Sequence, residues 1–206
     1  MWVHEGVETG REERSLHPSG LALFRFWETA RGQRSAPCRN DLDLKQIRRL
    51  VPALFILEQN HAGQGFSWRL AGTAIRGLLA REVTGTELLD GWGQAEGAVI
   101  RRTLATVIAA HQPALFRLRL TTGRGQTIMA DMAAFPLIAA DGRSTHVFGG
   151  LFAFDDPALK EYDAITGFEL VATRFAPSET MAMLGTEAPA QARRKFRVIT
   201  GGLDRD

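Results

Sequence analysis

Between Leu54 and Thr73 the chain spells strand, turn, strand and helix start with almost no spare residues. Leu54-Phe55-Ile56-Leu57-Glu58 is a short apolar run, and Phe66-Ser67-Trp68-Arg69-Leu70-Ala71 alternates. Strict alternation puts Phe66, Trp68 and Leu70 on one strand face and Ser67, Arg69 and Ala71 on the other. Gly63-Gln64-Gly65 supplies the conformational freedom of a hairpin loop. Gly72-Thr73 marks the change to helix, with Thr73 the expected N-cap. Few folds open with a hairpin that runs directly into a helix.

The rest of the chain extends that order. Gln94 to His111 carries Ile100, Leu104, Val107, Ile108 and His111 at helical spacing, with Arg101 and Arg102 outward, and is expected to be the longest of the helices after the hairpin. The period then drops to two: Phe116, Leu118 and Leu120 alternate with Arg117 and Arg119. Thr122-Gly123-Arg124-Gly125 turns the chain into a returning strand over 127–135, and Asp141-Gly142 turns it again into 145–154. The expected fold is α+β, a five-stranded antiparallel sheet (54–58, 66–71, 114–121, 127–135, 145–154) with helices on one face. Phe168 to Phe175 is a candidate extra strand. Thr84 to Asp90 reads as a turn and helical piece, and Asp156-Pro157 as the start of a short helix or turn.

Ahead of the hairpin, Pro18-Ser19 opens a helix that closes near Gly32. Its apolar residues, Leu21, Leu23, Phe24, Phe26 and Trp27, span more circumference than one flat surface needs. Two readings follow. The helix pairs with a second copy through Leu23, Phe24, Phe26 and Trp27, giving a homodimer, or it folds back onto its own domain. Asp43 with Gln46 three residues on has the capping-box spacing of a short helix, which Pro52 ends. Residues 1–18 read as a polar arm, 19–175 as the domain with its N-terminal helix, and 176–206 as an Ala/Pro-rich linker with a basic tail.

Composition narrows the function. Of 206 residues 45% are hydrophobic, enough for a full core, and the net charge is only +2, which argues against nucleic acid as a partner. The basic residues Arg117, Arg119, Arg124 and Arg193 to Arg197 are the only ones that would suggest it. A single cysteine, Cys38, excludes a disulfide framework and a cysteine-based metal site. The first residues lack the apolar core of a signal peptide, and no apolar run approaches the length of a membrane span, so a cytoplasmic protein is expected. His4, His17, His61, His111 and His146 are scattered, and only His111 lies on the long helix where a haem ligand would be placed. Neither a nucleophile elbow nor a phosphate loop is present. Catalytic residues, metal and cofactor are therefore all expected to be absent.

Several segments in order carry a family resemblance: Phe26-Trp27, Arg39-Asn40-Asp41-Leu42-Asp43, Val51-Pro52-Ala53-Leu54-Phe55-Ile56-Leu57-Glu58, Trp68-Arg69-Leu70-Ala71-Gly72-Thr73, Gly85-Thr86-Glu87-Leu88-Leu89-Asp90 and Phe135-Pro136-Leu137. Spread over residues 20–155, they resemble a family of small, stand-alone bacterial PAS-like proteins first catalogued as a domain of unknown function. The resemblance implies a sensory or regulatory module without an attached output domain, acting through an unidentified signalling protein. It implies a motility or cell-cycle role for some members and carries no catalytic residue. PAS-type cavities lie between the sheet and the long helix, so Trp68, Leu70, Trp92, Leu104 and Leu118 are the candidate ligand-lining residues. The competing readings are a sensor with an occupied cavity and, less favoured, a small α+β enzyme.

Overall fold

In the computed structural model the described residues are 16–60, 63, 65–139, 142, 145–154 and 164–175. The readings for the N-terminal arm before Leu16, for Asp156-Pro157 and for the linker and tail lie outside them. The element order is α1 (Pro18–Arg31), three 3-10 turns (Arg39–Asp41, Leu44–Ile47, Val51–Ala53), β1 (Leu54–Gln59), β2 (Phe66–Ala71), α2 (Thr73–Leu79), α3 (Gln94–Ala110), β3 (Ala114–Thr122), β4 (Thr127–Leu137), β5 (His146–Ala153) and β6 (Ile165–Phe175). The strands form one antiparallel sheet in the order β2-β1-β5-β4-β3-β6.

The fold is α+β as the patterning predicts, with six strands rather than five. The sixth, β6, pairs along the whole of β3 and packs Phe168 and Leu170 onto the core. Two register shifts against β3 interrupt its alternation, which hid its period. The Leu170 N–H also donates to Glu96 Oε1 in the first turn of α3 (3.0 Å), tying the added strand to the helix layer.

Helices lie on both faces. α2 and α3 cover the inner face, where Phe55, Leu57, Phe116, Leu118, Ile100, Leu104 and Val107 share one apolar cluster. α1 covers the outer face and shares a second cluster with Leu54, Ile56, Leu115, Phe135, Leu137, Phe148 and Phe152. β4 alternates between the two clusters residue by residue, Ala130, Met132 and Ala134 inward and Ala133, Phe135 and Leu137 outward. At the sheet's centre β5 needs glycine: a Cβ on Gly149 would lie 2.2 Å from the Ala133 carbonyl oxygen and 2.3 Å from the Phe55 ring.

The outer cluster changes the reading of α1. Leu23 and Trp27 are essentially inaccessible, and Phe24 and Phe26 are buried, all within one chain. Trp27 stacks on Phe135 at 5.5 Å, and its indole Nε1–H donates to the Pro136 carbonyl at 2.9 Å. Phe24 leans on Phe135 and Phe26 on Phe148. These four side chains, expected at a dimer interface, are consumed by the protein's own sheet. The sheet face and Arg31, whose guanidinium lies over the Trp27 ring, together absorb the wide apolar arc.

Three local expectations are corrected. β2 breaks alternation at Arg69: Leu57 pairs with Trp68 but Ile56 pairs with Leu70, so Arg69 is an extra residue in a bulge. Phe66 and Trp68 still face inward, whereas Leu70 turns outward (39% exposed) and Ala71 takes its place in the core. The N-cap of α2 is Gly72 rather than Thr73. A Cβ on Gly72 would fall 2.2 Å from the Pro52 carbonyl oxygen, so glycine is required by close approach. Residues 84–90 form turns, not a helix. Their backbone bonds to β2 (Trp68 N–H to Thr86 O, 3.0 Å; Leu88 N–H to Phe66 O, 2.7 Å) cover what would be an open sheet edge.

Candidate functional site

Of the five predicted lining residues, Trp68, Trp92 and Leu118 do meet around one space between the sheet and the helix layer, joined by Leu88, Leu120 and Met132. Leu104 is buried within the core beside it, and Leu70 lies on the opposite face of the sheet. The space is small, about 30 Å³. Trp92 stacks on Phe168 of β6 at 5.0 Å, and Trp68 meets Phe55 edge-on at 5.7 Å. Room for about one water remains. Arg81 and Asp90 stand at its margin and are the only charged residues in its described wall.

His111 ends α3 in the left-handed conformation (φ 51°) and does not line this space. Cys38 precedes the first 3-10 turn, where its N–H donates to Asp41 Oδ2 at 2.7 Å. Asp43 accepts from the Lys45 N–H, the capping role expected of it. Among the described residues no group of three His, Cys, Asp or Glu side chains is placed to hold a metal ion. No helix among them is long and apolar enough to cross a membrane.

The strongest polar cluster sits on the other face, at the N-terminus of α1. Asp131 on β4 has a nearly inaccessible carboxylate and accepts from Arg117 on β3, at 2.5 Å from Nε and 3.3 Å from a terminal nitrogen. The same carboxylate accepts from the His17 backbone N–H at 2.9 Å. His17 is the N-cap of α1, its ring Nδ1 accepting from the Ser19 N–H at 3.1 Å. Phe154 completes the group, with the Arg117 guanidinium 4.5 Å above its ring and the His17 ring edge-on at 5.1 Å. One carboxylate thus joins two strands to the first turn of the helix that covers them. Sequence reasoning set Arg117 down as a basic residue alternating along its strand and as a nucleic-acid candidate, named His17 only among scattered histidines, and passed over Asp131. The available signal was an aspartate in the middle of the apolar strand Ile128 to Phe135, where a lone carboxylate needs a cationic partner. Arg119 is neutralised likewise by Glu169 of β6, so neither strand arginine offers an unopposed charge.

An antiparallel sheet with a hairpin running into a short helix and a long helix across its inner face is the α+β architecture that this geometry defines. The PAS-domain family model matches residues 15–152, well over half of the chain. The chain belongs to the PAS-domain family. Among solved structures, it is similar to the PAS domain of BvgS from Bordetella pertussis (18% identity, 56% of this chain and 88% of that one, TM-score 0.40). It is also similar to a LOV protein of Rhodobacter sphaeroides (14% identity, 58% and 72%, TM-score 0.41) and to the light-state LOV domain of the photoreceptor Aureochrome1 (12% identity, 57% and 93%, TM-score 0.40). Comparison with curated proteins gave no match.

Proposed function

We propose that this PAS domain is a non-catalytic regulatory module whose output is contact with a signalling protein, and that the space between sheet and helices serves as packed core. Membership of a generally sensory family supports the first half of this reading. The size of the interior carries the second. About 30 Å³ is far below the several hundred Å³ in which proteins hold cofactors and metabolites. Trp68, Trp92 and Leu118 occupy the volume that a ligand would take.

With α1 committed to its own sheet, a second copy or another partner would meet a different surface. Edge strand β6 is the best suited, because Val171 and Phe175 are 40% and 41% exposed on a strand that, among the described residues, has a neighbour on one side only. Cross-linked pull-down of the full chain from its native cells tests this. One signalling protein is expected with the wild type and lost with Val171→Glu/Phe175→Glu. Retention of the partner by that variant would move the contact elsewhere. Absorption spectra and native mass spectrometry of the same preparation are expected to show protein alone. A near-stoichiometric haem or flavin band would overturn the packed-core reading, and light scattering of the same pair of proteins tests a homodimer through β6.

A further inference from the structure

A larger space lies at the margin of that core, where β1 stops before β5 does. The β1–β5 ladder ends at Leu54↔Gly150, yet β5 runs on beside β4 through Leu151, Phe152 and Ala153. The turn Val51–Ala53 leads the chain away, its last N–H (Ala53) bonding to the Leu50 carbonyl at 2.8 Å instead of to β5. The result is a notch inside the sheet, roofed by α2.

Hydrogen-bond alternation fixes what faces the notch. The Phe154 N–H bonds to Met129 of the β4 strand's N-terminal stretch (2.8 Å), so Phe154 and Phe152 direct their main-chain groups toward β4. Ala153, one residue out of phase, directs its N–H and C=O the other way, and no described residue pairs with them. Backbone groups in an apolar setting require partners. Around them Ala53, Ile75, Gly77, Leu78, Ala130 and Phe152 wall a partly open cleft of about 380 Å³. Its described wall carries no Asp, Glu, Lys or Arg, and His17 is its one titratable residue.

We propose that this cleft binds a small, uncharged, mainly apolar molecule whose one polar group hydrogen-bonds the Ala153 main chain. The volume lies in the lower part of the range for small-molecule sites, and a few fixed polar groups on an apolar wall are how such sites set orientation. An ionised ligand would find no Lys, Arg, Asp or Glu in the described wall to pair with and would lose its hydration. Leu151 also borders the interior space, so it separates the cleft from the packed core. The site goes beyond the regulatory reading above and stands or falls apart from it.

Titration of the full chain with 2-naphthamide, followed by amide NMR, tests the proposal. Saturable shifts are expected at Gly77, Leu78, Leu151 and Ala153, with 2-naphthoate at least about tenfold weaker because the described wall has no Lys or Arg. A Cβ on Gly77 meets nothing within 4 Å, so Gly77→Leu adds bulk at the cleft from a position with open space for its Cβ. That variant, and Ala74→Leu on the same helix, are expected to fold and to weaken naphthamide by about tenfold or more, the scale of a lost apolar contact. Absence of saturable shifts, shifts confined to Trp68, Trp92 and Leu118, equal binding of naphthoate, or full affinity in both folded variants would each overturn the site.

Discussion

The two faces of the sheet are covered by helices in different ways. On the inner face α2 and α3 meet the strands mainly through carbon, the Glu96–Leu170 bond to the edge strand β6 aside: Leu104, Val107, Phe116 and Leu118 interlock, and the residual space admits about one water. On the outer face α1 is held by carbon and by directed polar contacts. Trp27 reaches the Pro136 carbonyl, and Asp131 grips both Arg117 and the first turn of the helix. An apolar contact tolerates sliding, whereas a buried carboxylate with three donors accepts one placement. The inner face therefore supplies bulk stability, and the outer face sets where α1 sits.

The sharpest comparison is between the two buried tryptophans. Trp68→Ala and Trp27→Ala should each cost about 3–5 kcal/mol, the usual penalty for emptying a large aromatic site. Trp27→Ala should exceed its counterpart by about 1 kcal/mol, because it also leaves the buried Pro136 carbonyl without a donor. Denaturant titration of both variants, with Trp27→Phe as a control that keeps most of the packing, checks the ordering. A smaller loss for Trp27→Ala than for Trp68→Ala would remove the distinction between the faces.

Asp131→Asn probes the polar part alone. It keeps the volume but withdraws the charge that faces Arg117, and should cost about 1.5–3 kcal/mol. The double replacement Arg117→Met/Asp131→Leu should recover most of that, since an apolar pair of similar size often matches a buried ion pair in stability. Stability is then restored while the anchor for the His17 N–H is not. Hydrogen exchange at the first turn of α1 should stay fast in the double variant. Protection equal to wild type would show that the carboxylate does not position the helix.

What could be read from the residues divides along the same line. The inner face was legible because burial writes a period: Ile100, Leu104 and Val107 repeat at helical spacing, and Phe116, Leu118 and Leu120 at strand spacing. Where the backbone departs from its period, reading failed. The bulge at Arg69 reversed Leu70 and Ala71 after a correct assignment of Phe66 and Trp68. β6 was weakly legible for the same reason, with two shifts in one strand. The outer face was legible as an apolar arc on α1 but not as to what covers it, since self-docking and pairing with a second copy need the same residues. Asp131, Arg117 and His17 are far apart in sequence, and no period brings such groups together. The cleft beside Ala153 depends on where one ladder stops relative to another, which the residue pattern does not encode.

The smallest expected effect contrasts the buried carboxylate with an exposed one. Glu82, after α2, accepts from the Arg76 guanidinium at 2.9 Å, from the Thr84 hydroxyl at 2.7 Å and from the Thr84 N–H at 3.1 Å. Those bonds, Arg76 first, lower its pKa from the ordinary 4.5 to about 2. A depressed carboxylate contributes stability that is fully present above 4.5 and is lost as pH falls from there toward 2. Both side chains are about half exposed (41% and 58%), so water screens the pair and the contribution is slight. Carbon-detected NMR of the Glu82 carboxyl should find it ionised well below 4.5 in the wild type, with the midpoint raised by Arg76→Ala. The Thr84 bonds should keep that variant's midpoint from returning fully to 4.5. A wild-type midpoint at 4.5 would mean that this exposed group is not held as drawn, in contrast to the buried Asp131 on the outer face of the sheet.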